Sequence, residues 1–177
     1  LMTLPFISQQ ARMVMIIVGI ACSLFAYCYT SGPFPLSYNA LGDVSVILFF
    51  GITAVTFTCY VQCESMVDSL PFVLWIGTAT GIVINALLLV NNYRDRDQDQ
   101  ISGKRPLITI FGEPFGRYMY LASGFVAATI IIACFWQMMG AKVMLLVCPY
   151  LLLHCLTWHK LSKIRQGKGL NILIAQS

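Results

Sequence analysis

Charge is what this chain has least of. Asp, Glu, Lys and Arg make up 10% of its 177 residues, against about 25% in a soluble domain. With hydrophobic residues at 58% and a mean hydropathy of +0.78, that deficit excludes an ordinary soluble fold and indicates an integral membrane protein. The net charge of +4 is small and dispersed between apolar runs. It reads as a membrane-orientation signal and not as a nucleic-acid surface. No CxxC pair occurs among the seven cysteines (Cys22, Cys28, Cys59, Cys63, Cys134, Cys148, Cys155). Most lie in apolar runs and read as small buried apolar residues, not metal ligands or disulfides. The opening Leu1-Met2-Thr3-Leu4-Pro5 lacks a basic residue, so a cleaved signal peptide is not expected there.

What is present is a series of apolar runs near the roughly 20 residues of a bilayer crossing. They cover 12–30, 44–62, 71–90, about 115–138 and about 143–158. The expected fold is all-α, a multi-spanning transmembrane helical bundle of about five crossings, in one domain over 1–177. Pro33 and Pro35 break the first connector, Pro71 suits the first position of the third helix, and Pro149 is a tolerated kink in the fifth. Gly77 and Gly81 form a small-xxx-small pair that favours close helix approach. Trp75, Trp136 and Trp158 fall near run ends, as interface anchors do. Five crossings put the 31–43 connector, the 92–116 connector and the C-terminal tail on one side. That side collects nine Lys and Arg, while Arg12 and Lys142 stand on the other. The positive-inside rule makes the first side cytoplasmic, with 31–43 and 92–116 as cap loops.

The charge that does occur is concentrated. Asn91-Asn92-Tyr93-Arg94-Asp95-Arg96-Asp97-Gln98-Asp99 ends the third run, and Gly103-Lys104-Arg105 follows. Asn91, Asp95 and Asp99 are spaced four apart, so on a helix they share a face. Paired carboxylates suit a hard divalent cation, and Mg²⁺ commonly bridges one or two of them to a substrate phosphate. Lys104 and Arg105, with Arg94 as a third, supply positive charge for phosphate oxygens. Asp97 should point away from that face. The plainer alternative is a solvated mixed-charge loop between two membrane helices.

The string Asn-Asn-x-Arg-Asp-x-x-x-Asp-x-x-x-Gly-Lys-Arg resembles the second aspartate-rich motif of the UbiA superfamily of intramembrane aromatic prenyltransferases. Gly32-Pro33-Phe34-Pro35-Leu36-Ser37-Tyr38-Asn39-Ala40-Leu41-Gly42-Asp43, running into Phe49-Phe50-Gly51, is similar to a connector of its naphthoate branch. The resemblance covers most of residues 30–120. It implies a nine-helix fold with a cytoplasmic cap over a central cavity, in the bacterial inner (plasma) membrane. It further implies Mg²⁺, a polyprenyl diphosphate donor and an aromatic acceptor, 1,4-dihydroxy-2-naphthoate, in menaquinone biosynthesis. On that pattern Asp95 and Asp99 are the catalytic and metal-holding acids. Asn91, Asn92, Arg94, Lys104 and Arg105 match substrate-binding positions, with Tyr38 near the acceptor. Asn92 stands where many members have Asp, Pro106 replaces a usual Thr, and Ile110 stands where the branch has Arg.

Residues 1–30 contain no acid and nothing like the family's first motif, NDxxDxxxD. The expectation is therefore a fragment or decayed copy, with half the metal site missing and little activity alone. Prenyl transfer to another aromatic (4-hydroxybenzoate, homogentisate or a tetrapyrrole) and a non-catalytic, cation-binding membrane relic are the competing readings. Tyr38 and Asp43 of the connector have two readings, lining the acceptor site or, with greater weight, stabilising the turn; His154 and His159 read as interface residues near the basic tail.

Overall fold

The computed structural model describes residues 9–31, 35–38, 40–62 and 69–163. Those residues form α1 (Gln9–Thr30), α2 (Gly42–Gln62), α3 (Leu70–Ile101), α4 (Leu107–Met139) and α5 (Met144–Lys163), with no strand among them. By length and composition four helical stretches could cross a membrane: Ala11–Thr30, Gly42–Gln62, Leu70–Ile101 and Leu107–Lys163. The fourth runs to 57 residues because α4 and α5 are joined only by the tight turn Gly140–Val143, where Gly140 takes a positive φ of 53°.

Successive helices run antiparallel. Phe25 of α1 stacks on Phe49 of α2 with ring centroids 3.7 Å apart. The early residue Phe72 of α3 meets the late residue Phe135 of α4, and Tyr93 near the end of α3 meets Arg117 early in α4. Ala128 of α4 packs on Val143 and Val147, whereas Tyr120 reaches His154 further along α5. The ends of α1, α3 and α5 and the starts of α2 and α4 therefore lie at one end of the bundle.

The α2–α3 crossing is backbone against backbone. A Cβ on Gly51 would fall on the main chain of Gly77 and Gly81, and one on Gly81 would fall on Ile47. The anticipated Gly77/Gly81 pair thus acquires its partner, a wide π-type stretch over Ile47–Thr53 that brings Gly51 into the seam. Small residues let membrane helices approach this closely because apolar surface gains nothing by leaving lipid for another helix.

At 32 residues, α3 is about 48 Å long, well beyond the roughly 30 Å of a hydrocarbon core. The apolar run 71–90 accounts for the crossing, and residues 91–101 project past it without a break. That corrects one expectation. The 92–116 connector is helical except for Ser102–Pro106; its polar residues occur at helical spacing and extend the membrane helix instead of ending it. On the far side Gly112 (φ 84°, ψ 174°) interrupts α4 just before Pro114, setting off the short piece 107–111 from the long helix. Trp75 and Trp136 are exposed, as anchors are, but Trp158 packs on the core around Tyr93 and Tyr120.

Candidate active site

The site starts with the way α3 ends. Gly103 adopts a positive φ of 77°, its N–H donates to Gln100 O at 3.4 Å, and the Lys104 N–H donates to Asp99 O at 2.9 Å. These are the two reversed bonds of a Schellman cap. The cap turns the chain back so that the Lys104 ammonium lies 3.6 Å from the Asp99 carboxylate. It also lies 5.4 Å from the ring centroid of Tyr38. The Arg105 N–H donates to Tyr38 O at 3.0 Å. The connector and the motif therefore meet at one end of the bundle, tied by a main-chain bond that no side-chain pattern announces.

A cavity of about 270 Å³ opens there, lined by Tyr29, Thr30, Ser37, Gly42, Asp43, Leu88, Asn92, Asp99, Lys104 and Pro106. Of the residues singled out from sequence, Asp43, Asn92, Asp99, Lys104 and Pro106 line it. Tyr38 stands beside it through Lys104. Asn91 is half-buried and Arg105 exposed, and neither contributes to the lining.

Asp95 follows a different course. It lies one helical turn before Asp99, but both of its oxygens accept from the neighbouring Arg94 guanidinium, at 2.6 and 2.8 Å. It is absent from the cavity wall. Arg94, with help from Lys104, holds the Asp95 carboxyl below the usual carboxylate range, on the part of α3 beyond the apolar crossing. Asp97 is exposed, as its position two residues from each neighbouring acid requires, with Arg96 3.7 Å away.

An adjoining face of the same turns carries a network the sequence reading overlooked. Arg96 and Arg117 both pair with Glu113, at 2.6 and 2.7 Å. Tyr93, 1% exposed, donates its hydroxyl to Glu113 at 3.2 Å and accepts from Arg117 at 3.0 Å. Arg96 also donates to Tyr93 O at 2.7 Å and stacks 4.8 Å over the Tyr93 ring. Burial works against charge on Glu113, but Arg96, Tyr93 and Arg117 outweigh it and keep the carboxyl below its ordinary range. The one local signal was the Glu113/Arg117 spacing of four.

Two further polar residues emerge from burial. Asp43, 3% exposed, accepts from the side-chain amide of Asn85 at 3.1 Å. His154 is a correction: instead of sitting at an interface, it is 5% exposed, stacked on Tyr120 and 2.8 Å from Tyr120 O, in space opened by Gly124. His159 is exposed.

Comparison with known proteins gives the chain's relatives. The chain is 38% identical over 116 residues to a 1,4-dihydroxy-2-naphthoate octaprenyltransferase of Haemophilus influenzae, covering 66% of this chain and 37% of that protein. Proteins of the same name from Escherichia coli (36% over 98 residues; 55% of this chain, 31% of that one) and Mycobacterium leprae (33% over 130 residues; 71% and 43%) also match. The matches span about a third to two fifths of the length of these relatives. No solved structure matches. Residues 3–172 match the UbiA prenyltransferase family, and with nearly the whole length so accounted for, the chain belongs to that family.

Proposed function

We propose that this chain carries one of the two diphosphate-binding motifs of an aromatic prenyltransferase, acting in Mg²⁺-dependent transfer of a polyprenyl group from polyprenyl diphosphate to 1,4-dihydroxy-2-naphthoate in menaquinone biosynthesis. The observation that carries the reading is the cavity where Asn92, Asp99 and Lys104 of the motif meet Ser37, Gly42 and Asp43 of the connector. The relatives' names point to the acceptor and the prenyl group. The excess of Lys and Arg at this end favours a cytoplasmic orientation in the bacterial plasma membrane.

The donor set suits magnesium that arrives with its substrate. It consists of oxygens only: the Asp99 carboxylate, the Asn92 amide and, one turn back, the Asp95 carboxylate once released from Arg94. Among the described residues no group of three or more His, Cys, Asp or Glu converges to hold a metal. Mg²⁺ characteristically takes one or two carboxylates and completes its shell with water and phosphate. When bound, the ion would offset the charge on the departing diphosphate.

The chain's own residues do the rest. Lys104, held over Asp99 by the helix cap, offers an ammonium to the diphosphate oxygens, and Arg94 and Arg105 stand close by in sequence for the same charge. Stabilising charge that develops as the allylic C–O bond breaks is commonly the largest catalytic effect available. Leu88 and Pro106 supply apolar wall, so that the allylic cation meets an aromatic ring and not water.

The test is Asp99→Ala in this segment carried within a full-length prenyltransferase, reconstituted in membranes with octaprenyl diphosphate and dihydroxynaphthoate as substrates. Loss of one such charge-organising group should lower turnover about a hundredfold or more, with the unfolding midpoint unchanged. Turnover within a few-fold of the parent would sink the assignment.

A further inference from the structure

The cavity has a second acid that the motif does not account for. Asp43 lies at the start of α2, outside the aspartate string, yet lines the same space as Asn92, Asp99 and Lys104. It is 3% exposed. Among the described residues no Lys or Arg nitrogen comes within 4 Å of its carboxylate. Its side-chain partner is a neutral one, the Asn85 amide at 3.1 Å. Asn85 is itself 2% exposed, and its carbonyl oxygen is buried with no hydrogen-bond partner. A carboxylate this far from water without a cation is costly unless something else completes its hydrogen bonding. Its own backbone N–H also serves the carboxylate and Tyr29 lies near it, and the cavity is the open side from which a further donor can reach it.

The charge pattern narrows the occupant. An anionic diphosphate is attracted to Lys104 and repelled by Asp43. An uncharged O–H suits Asp43 well, because hydroxyl-to-carboxylate bonds are short and strong. Asn85 fixes the carboxylate from α3, the helix that also presents Asn92 and Asp99. We propose that Asp43, positioned by Asn85, receives the C4 hydroxyl of the aromatic acceptor, the one remote from the acceptor's own carboxylate, so that one cavity takes acceptor on its α2 side and diphosphate on its α3 side; this rests on the transfer reading above.

The experiment measures binding, independent of turnover. The reconstituted protein is titrated with 1,4-dihydroxy-2-naphthoate and with its 1,4-dimethoxy ether, without diphosphate, and tryptophan fluorescence is followed. A site built around a hydroxyl discriminates strongly against a ligand that lacks it. The unaltered protein should therefore prefer the dihydroxy compound by at least about tenfold. Asp43→Asn should bring that preference to within about twofold, and Asn85→Ala should lower it by about threefold, while Mg²⁺-dependent pyrophosphate binding stays at the parental level. Asp43→Glu should restore part of the preference, which a purely structural role does not predict.

Retained preference in a folded Asp43→Asn protein overturns the proposal, as does failure of the unaltered protein to distinguish the two compounds. Loss of pyrophosphate binding in place of the preference would make Asp43 a metal ligand and also overturn it. If Asp43→Asn does not fold, the Asn85→Ala and Asp43→Glu titrations decide. An Asp43-dependent preference in a protein that transfers no prenyl group would uphold the acceptor site and count against the transfer reading instead.

Discussion

The last three turns of α3 carry two polar faces, and they differ in who supplies their partners. On one face Tyr93 and Arg96 are closed off by α4, where Glu113 and Arg117 satisfy them at 2.6–3.2 Å. On the other, Asn92 and Asp99 border a cavity, with Lys104 3.6 Å from Asp99 and Asp43 across the gap between helices. Both faces place charged groups just beyond a membrane crossing, where burial without partners is expensive. The first is completed by the protein and so holds the helix in place. The second is left for a ligand to complete. Residue type does not distinguish them, since each carries an acid and a base; the distinction lies in what packs opposite.

Removing Glu113 should break this contrast most severely. Glu113→Ala leaves Arg96 and Arg117 facing each other without their shared carboxylate. Breaking a fully buried pair costs about 3–5 kcal/mol. Glu113 is 29% exposed, and solvent screening lowers the expected loss to about 2 kcal/mol. Denaturant unfolding in detergent should show it, and an unchanged midpoint would mean that the face contributes little to holding α3. On the open face, Lys104→Met should leave the fold alone and raise the KM for polyprenyl diphosphate about tenfold, as expected for loss of one charged hydrogen bond to phosphate. A comparable rise in the acceptor's KM would place Lys104 on the wrong side of the cavity. Asp97→Asn sharpens the comparison from below. Its side chain is 61% exposed, so solvent screens its contact with Arg96, and turnover and unfolding midpoint should both stay within error of the parent.

Much of this was legible beforehand because it depends on local periodicity. The apolar runs marked the helices, and the spacing of Asn91, Asp95 and Asp99 marked a helical face. Gly77 and Gly81 marked a close crossing. What escaped was long-range. The Tyr93–Glu113 bond spans 20 residues and the Asn85–Asp43 bond 42, and no pattern within either helix names the other partner. The 92–116 stretch read as a loop because polar residues end membrane crossings; hydropathy marks where the bilayer stops, not where helical hydrogen bonding stops. Asp95 and Asp99 looked equivalent at i and i+4, yet Arg94 engages one and the cavity takes the other.

The amino-acid sequence by itself determined that this is a bundle of membrane-crossing helices with an acid-rich turn at one end, since hydropathy and helical spacing are properties of consecutive residues. Only the tertiary structure decided which of those acids face a cavity, which polar residues are spent on pinning α3 to α4, and that Asp43 joins the site from a different helix. Those outcomes depend on the rotation and crossing of antiparallel helices, and backbone contact at Gly51, Gly77 and Gly81 fixes the crossing of α2 on α3.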